Sequence, residues 1–171
     1  MGVDINKDAI EYVNSNSFAK SPVYFADITD KGSFSAVPQN KFDYVLLGEI
    51  VEHVDNPGDF LSRMKTVVNA EKCIITVPNA FSFLRKKKYS KGIEGINSDH
   101  RYWFSPYTIA KVMQKAGIKP LELLFCNMGK YQNGDSWFTR KLFCYMGAIL
   151  KRPFPYKAYM SDQMVVIGEL Q

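Results

Sequence analysis

An α/β fold built on a mostly parallel sheet is what the sequence predicts, on three observations. Strand-like and helix-like segments alternate along the 171 residues. Two strand candidates, Phe42–Leu47 (FDYVLL) and Lys72–Val77 (KCIITV), are almost continuously apolar, as strands covered on both faces should be. The helix candidates carry one-sided apolar stripes, the pattern of helices laid on a sheet by right-handed crossovers.

Each element has its own local reason. Met1–Ile5 is a short apolar run containing an acid, Asp4. Asn6 caps a helix from Lys7 to about Asn16 with Ile10 and Val13 facing inward. Val23–Ile28 reads as a strand ending near Asp27, and a polar loop with Gly32 and Pro38 follows. Asn56 and Pro57 open a helix to Asn69, with Phe60, Leu61, Met64, Val67 and Val68 in one stripe. Pro78 stops the strand at Lys72–Val77. Ser105 caps and Pro106 starts a helix lined by Ile109, Val112, Met113 and Ala116. Gly117 closes it and Pro120 blocks its continuation. Leu121–Cys126 and Gln163–Leu170 read as strands, and residues 137–150 place Phe138, Leu142, Tyr145, Met146, Ile149 and Leu150 at helical spacing.

Composition narrows the function classes. Apolar residues make up 46% and charged residues 23%, which excludes a disordered or fibrous chain. The length suits one domain. The longest apolar run, Phe143–Leu150, is far short of the ~20 residues of a membrane span. The opening residues lack the charged-then-apolar pattern of a secretory signal. Cys73, Cys126 and Cys144 form neither a CxxC pair nor a disulfide framework, so the expected compartment is a reducing cytoplasm. The net charge of +5 permits nucleic-acid binding without implying it, and no RNA-binding signature accompanies it.

The order of motifs resembles a class I S-adenosylmethionine-dependent methyltransferase of the small-molecule type, from that family's second strand onward. Gly2-Val3-Asp4-Ile5 resembles the segment whose acid holds the cofactor ribose, and Phe25-Ala26-Asp27-Ile28 the segment whose acid contacts the adenine amine. Phe42-Asp43-Tyr44-Val45 with Glu49–Val54 resembles the fourth strand and the helical turn after it. Asp99–Ser105 and the following helix to Ala116-Gly117 also recur in such members. The resemblance implies a Rossmann-like sheet with an antiparallel C-terminal strand, and S-adenosylmethionine as cofactor. It implies cofactor contacts from Asp4, Ile5, Asp27, Ile28, Leu47 and Gly48, and a small-molecule or glycan acceptor. In chemical terms, a nucleoside lies across the C-terminal ends of parallel strands. Asp4 there can accept from both ribose hydroxyls and Asp27 from an exocyclic amine. Alternatively, both acids only start turns or cap helices.

The chain departs from the family in one respect. Nothing matches the first strand and its glycine-rich loop, and Gly2 is the only glycine before Gly32. In the family that strand lies between the second and fourth, so its loss leaves two edges without partners. The expectation is a fragment lacking its first strand, a chain whose strand a partner supplies, or a catalytically inactive relative serving as a binding or scaffold protein.

Glu49-x-x-Glu52-His53 places two carboxylates and an imidazole at i, i+3 and i+4, one face if helical. With His100 these could bind Mg²⁺, Mn²⁺ or Zn²⁺. Similar segments occur in metal-dependent methyltransferases of quinone biosynthesis and of small-RNA 3′ ends. Alternatively, His53 or His100 serves as a general base or orients the substrate, or the segment is only a polar helix start. Arg85–Lys91 (RKKKYSK) reads as a solvated basic loop with a possible phosphate contact. Tyr102, Trp103, Phe104 and the 137–150 stretch read as core or, alternatively, as the roof of a pocket. Arg140, Lys141, Lys151 and Arg152 around that stretch would suit a peripheral membrane contact.

Overall fold

The computed structural model describes residues 1–16, 20–28, 30–38, 40–94, 99–126 and 161–170. The predicted 137–150 helix, with Trp137 and its flanking basic residues, lies outside them. In chain order the elements are β1 (Gly2–Asp4), α1 (Lys7–Ser15), β2 (Val23–Phe25), a 3-10 helix (Lys31–Ala36), β3 (Phe42–Gly48), α2 (Pro57–Val67), β4 (Ala70–Pro78), α3 (Phe83–Tyr89), α4 (Pro106–Lys115), β5 (Ile118–Cys126) and β6 (Gln163–Leu170).

Two sheets result. β1 and β2 pair in parallel, with Val3 opposite Tyr24. The second sheet runs β3-β4-β6-β5. β3 and β4 are parallel, and β6 is antiparallel to both its neighbours. The C-terminal strand is therefore inverted, as expected, and β3, β4 and β5 share one direction.

The helix starts follow their caps. The Asn6, Asn56 and Ser105 side chains accept from the N–H groups of Ala9, Asp59 and Thr108. Each such cap is worth about 1 kcal/mol. Leu61 and Met64 of α2 and Ile109 and Met113 of α4 are buried against Leu47, Ile75, Ile118, Met164 and Val166 of the sheet. A smaller cluster of Ala26, Phe34 and Val37 packs on Val67 and Val68. Ile28 touches both clusters.

Four expectations need correction. β3 is not covered on both faces: Tyr44 and Leu46 are 51% and 65% exposed. Leu47 and Val45 pack into the main core, and its edge away from β4 has no strand partner among the described residues. The basic run is no loop over most of its length. Ser82 Oγ accepts from Arg85 N and starts α3, whose exposed face carries the lysines. Residues 49–53 form turns rather than a helix, and Glu49 has φ 53°, in the left-handed region. β5 begins at Ile118, and Pro120 is accommodated on this edge strand at a register irregularity.

Gly168 of β6 has no room for a side chain. A Cβ on Gly168 would stand 2.6 Å from Ile118 Cγ2 and 3.1 Å from Cys73 Sγ. Ile118 and Cys73 are fixed on flanking strands, so Gly168→Ala forces the sheet to shift. The expected loss is about 2 kcal/mol, or a melting temperature lower by about 4–8 °C, read by thermal denaturation.

Candidate functional site

Three loops meet beyond the C-terminal ends of β3 and β4, the end at which open α/β sheets bind ligands. They are residues 49–56, residues 79–82 and residues 99–105. Glu49 N donates to both Thr76 O and Thr76 Oγ1 (3.1 Å each), which holds the strained residue at the end of β3. Buried Asn79 organises the second loop. Its Nδ2 donates to Ser161 O (2.8 Å), its Oδ1 accepts from Phe81 N, and it forms a parallel bridge to Phe104. The third loop is fastened to the first: Arg101 N donates to Glu52 O (2.8 Å), and Asp55 receives both the Arg101 guanidinium and, at its carbonyl, the Tyr102 hydroxyl.

This stitching brings Glu52, His53 and His100 together. One ligand atom from each lies within 4.8 Å of the others. The two imidazoles meet edge to face, centroids 4.6 Å apart. His53 Nδ1 is 3.1 Å from Asp99 O. A carbonyl only accepts, so Nδ1 is the donor in this contact. Glu52 is fully buried, and neither of its carboxyl oxygens has a hydrogen-bond partner, nor has Glu49 Oε1. Such orphans are costly and mark places where a proton, ion or ligand group is received.

Electrostatics follow from that burial. Desolvation pushes the Glu52 carboxyl up to about 7, and the adjacent Glu49 adds to the shift. Desolvation also lowers the His100 pKa, reinforced by His53 and Arg85 and opposed by Asp99. His100 is thereby held neutral near physiological pH. Arg85 closes one side, its guanidinium 4.2 Å from the Trp103 ring centroid and donating to Asn79 O (3.3 Å). Arg85 and Asn79 were not singled out from the sequence. Arg85 is one cation in a run of similar ones, and only its tertiary contact separates it.

The proposed cofactor residues occupy strand ends. Asp4 ends β1, exposed, with Oδ1 accepting from Asn6 N (2.7 Å). Asp27 lies just past β2, its backbone N–H and C=O both bonded to Ser33 Oγ (2.8 Å each). Ala26 N donates to Asp4 O, so the two acids belong to one paired strand end. Ile5 is 61% exposed and Ile28 packs into the core. Leu47 is buried and Gly48 exposed at the end of β3, in the other sheet. Glu49 lies beside Glu52 without joining the three-residue cluster. A concavity lined by Lys65–Ala70 and Leu170 sits at the opposite, N-terminal end of β4.

Among the described residues, no helix is long and apolar enough to cross a membrane. No curated protein matches the sequence. Solved structures match its fold. A S-adenosylmethionine-dependent methyltransferase from Archaeoglobus fulgidus is 19% identical with a TM-score of 0.60, over 98% of this chain and 74% of its own. One from Thermotoga maritima, a possible histamine N-methyltransferase, is 15% identical with a TM-score of 0.65, over 100% and 73%. A Haloferax volcanii methyltransferase in complex with the Trm112 activator is 12% identical with a TM-score of 0.59, over 99% and 70%. The profile of the family described as "Methyltransferase domain" matches residues 1–123, from β1 into β5, and so takes in every strand end and loop that forms the cleft. With acids at the paired strand ends and the cleft beyond β3 and β4, the chain belongs to the class I S-adenosylmethionine-dependent methyltransferase family.

Proposed function

We propose that the chain methylates a hydroxyl of a small molecule or glycan held against Glu52, His53 and His100, with S-adenosylmethionine lying across the ends of β1, β2 and β3. The observation that carries this reading is the convergence of a neutral-biased imidazole and a buried, unsatisfied carboxyl at the ligand-binding end of the sheet. His100 takes the proton of the acceptor hydroxyl. The oxygen's electron pair forms the new bond to the methyl carbon while the carbon–sulfur pair returns to sulfur. S-adenosylhomocysteine and a methyl ether result, and His100 then passes its proton to solvent. Glu52, whose protonated form burial and the adjacent Glu49 favour, orients the acceptor. Most of the acceleration comes from aligning donor and acceptor and excluding water.

One observation favours a second reading, in which Glu52, His53 and His100 hold a divalent cation. Their ligand atoms converge, and the Nδ1 contact to Asp99 O leaves His53 Nε2 free to ligate, a common outer-shell arrangement. Such an ion would lower the pKa of the acceptor hydroxyl.

We also infer that a further strand, from this chain or a partner, completes the sheet between β1 and β3. Both strands present unpaired edges among the described residues, and Val3, Tyr44 and Leu46 are exposed beside them.

Calorimetric titration with S-adenosylhomocysteine tests the cofactor placement. Asp4→Ala removes a charged acceptor and is expected to weaken binding by roughly 10- to 100-fold. Asp27→Ala loses a single amine contact and has a smaller effect. Equal affinity in wild type and both variants removes this placement.

A further inference from the structure

From Ser82 to Glu94 the chain sets five basic residues, Arg85, Lys86, Lys87, Lys88 and Lys91, against one acid. α3 and its C-terminal turn arrange these cations unequally. Arg85 turns inward over Trp103, while Lys86, Lys87, Lys88 and Lys91 are all exposed. Apolar side chains stand out among them: Phe81 is 49%, Tyr89 43% and Ile93 54% exposed. Glu94 is the sole acid from Ser82 to Glu94.

We propose that this basic-aromatic face docks the protein on an anionic lipid surface. The lysines supply the attraction to anionic headgroups. Ile93 and Phe81 supply apolar tips that a headgroup boundary accepts and a purely charged polymer does not reward. Tyr89 contacts Trp103 at 5.7 Å between centroids, so the face adjoins the loop that carries His100. A docked protein therefore presents its acceptor cleft near the surface, where an amphiphilic acceptor is concentrated. The inference rests on the charge and exposure of α3, independently of the roles proposed for the cleft residues.

Co-sedimentation with vesicles tests it, comparing pure phosphatidylcholine with a phosphatidylcholine–phosphatidylglycerol mixture. The expected result is binding to the mixture alone, weakened by added salt. Each lysine removed lowers the partition coefficient about fivefold, so K86Q/K87Q/K88Q loses about 100-fold with an unchanged melting temperature. Ile93→Ser weakens binding at constant charge. Absence of binding to the anionic vesicles, or equal binding by the triple variant, overturns the proposal. So does equally tight binding to inorganic polyphosphate with no effect of Ile93→Ser on vesicle binding, which would identify a charged polymer as the partner.

Discussion

Glu52→Gln is expected to melt about 6–12 °C above the wild type at about pH 8, and at nearly the wild-type temperature at about pH 4. The sign follows from linkage. The unfolded chain ionises Glu52 at its ordinary value of 4.5, whereas the folded chain keeps the proton until about 7. The wild type therefore loses stability as pH rises from the first value through the second, and the loss is complete above 7. The interval corresponds to about 3 kcal/mol, which a neutral isostere of the same shape does not lose. Full burial and two unpartnered oxygens make Glu52 a residue that the fold tolerates rather than uses. Under the role proposed for it, the stabilised variant should turn over more slowly than the wild type. Scanning calorimetry across pH, with a chelator present throughout, isolates the carboxyl from any bound cation. A Glu52→Gln variant that melts at or below the wild-type temperature at high pH would show that the carboxylate is paired in solution.

The sequence conveyed the elements that depend on local chemistry. Asn56-Pro57 and Ser105-Pro106 start their helices because a side-chain acceptor followed by a residue without N–H suits a helix start. The run that became β4 was legible as an almost continuously apolar stretch, and the structure buries it most deeply at alternate positions. The reading of residues 49–53 as a helix failed for a definable reason. Spacing of i, i+3 and i+4 is also satisfied by consecutive turns, and nothing in the letters reveals a left-handed Glu49. The cluster formed all the same, because Arg101 N and the Asp55 contacts pin the His100 loop to the Glu52 turn across nearly fifty positions of sequence. Asp4 illustrates the opposite difficulty. Its position at a strand end was legible, yet its bond to Asn6 N makes it a turn-former as well as a candidate ligand, and both roles ask for the same residue.

Replacing His100 with Ala should reduce methyl transfer by about 10²–10⁴-fold, the usual contribution of a positioned proton acceptor, while S-adenosylhomocysteine affinity stays within error of the wild type. The separation arises because His100 faces Glu52 and His53 beyond β3 and β4, whereas the acids proposed to hold the cofactor lie at the ends of β1 and β2. Burial, reinforced by His53 and Arg85, holds His100 below its ordinary pKa of 6.5. Its stabilising contribution as a neutral group is present above that value and lost as pH falls through the folded pKa, and the rate should follow the same course. A flat profile from neutral pH upward, falling on the acid side, is therefore expected, with S-adenosylhomocysteine formation as the readout. Chelation decides between the two readings of the cluster. If His100 acts as the base, the wild-type rate is unchanged in chelator and His100→Ala alone abolishes the acid-side limb. If Glu52, His53 and His100 hold a cation, chelator and His100→Ala produce the same loss, and one divalent metal restores the wild type but not the variant. Full activity of His100→Ala in both conditions would remove the cluster from the reaction and leave alignment of donor and acceptor as the chain's whole contribution.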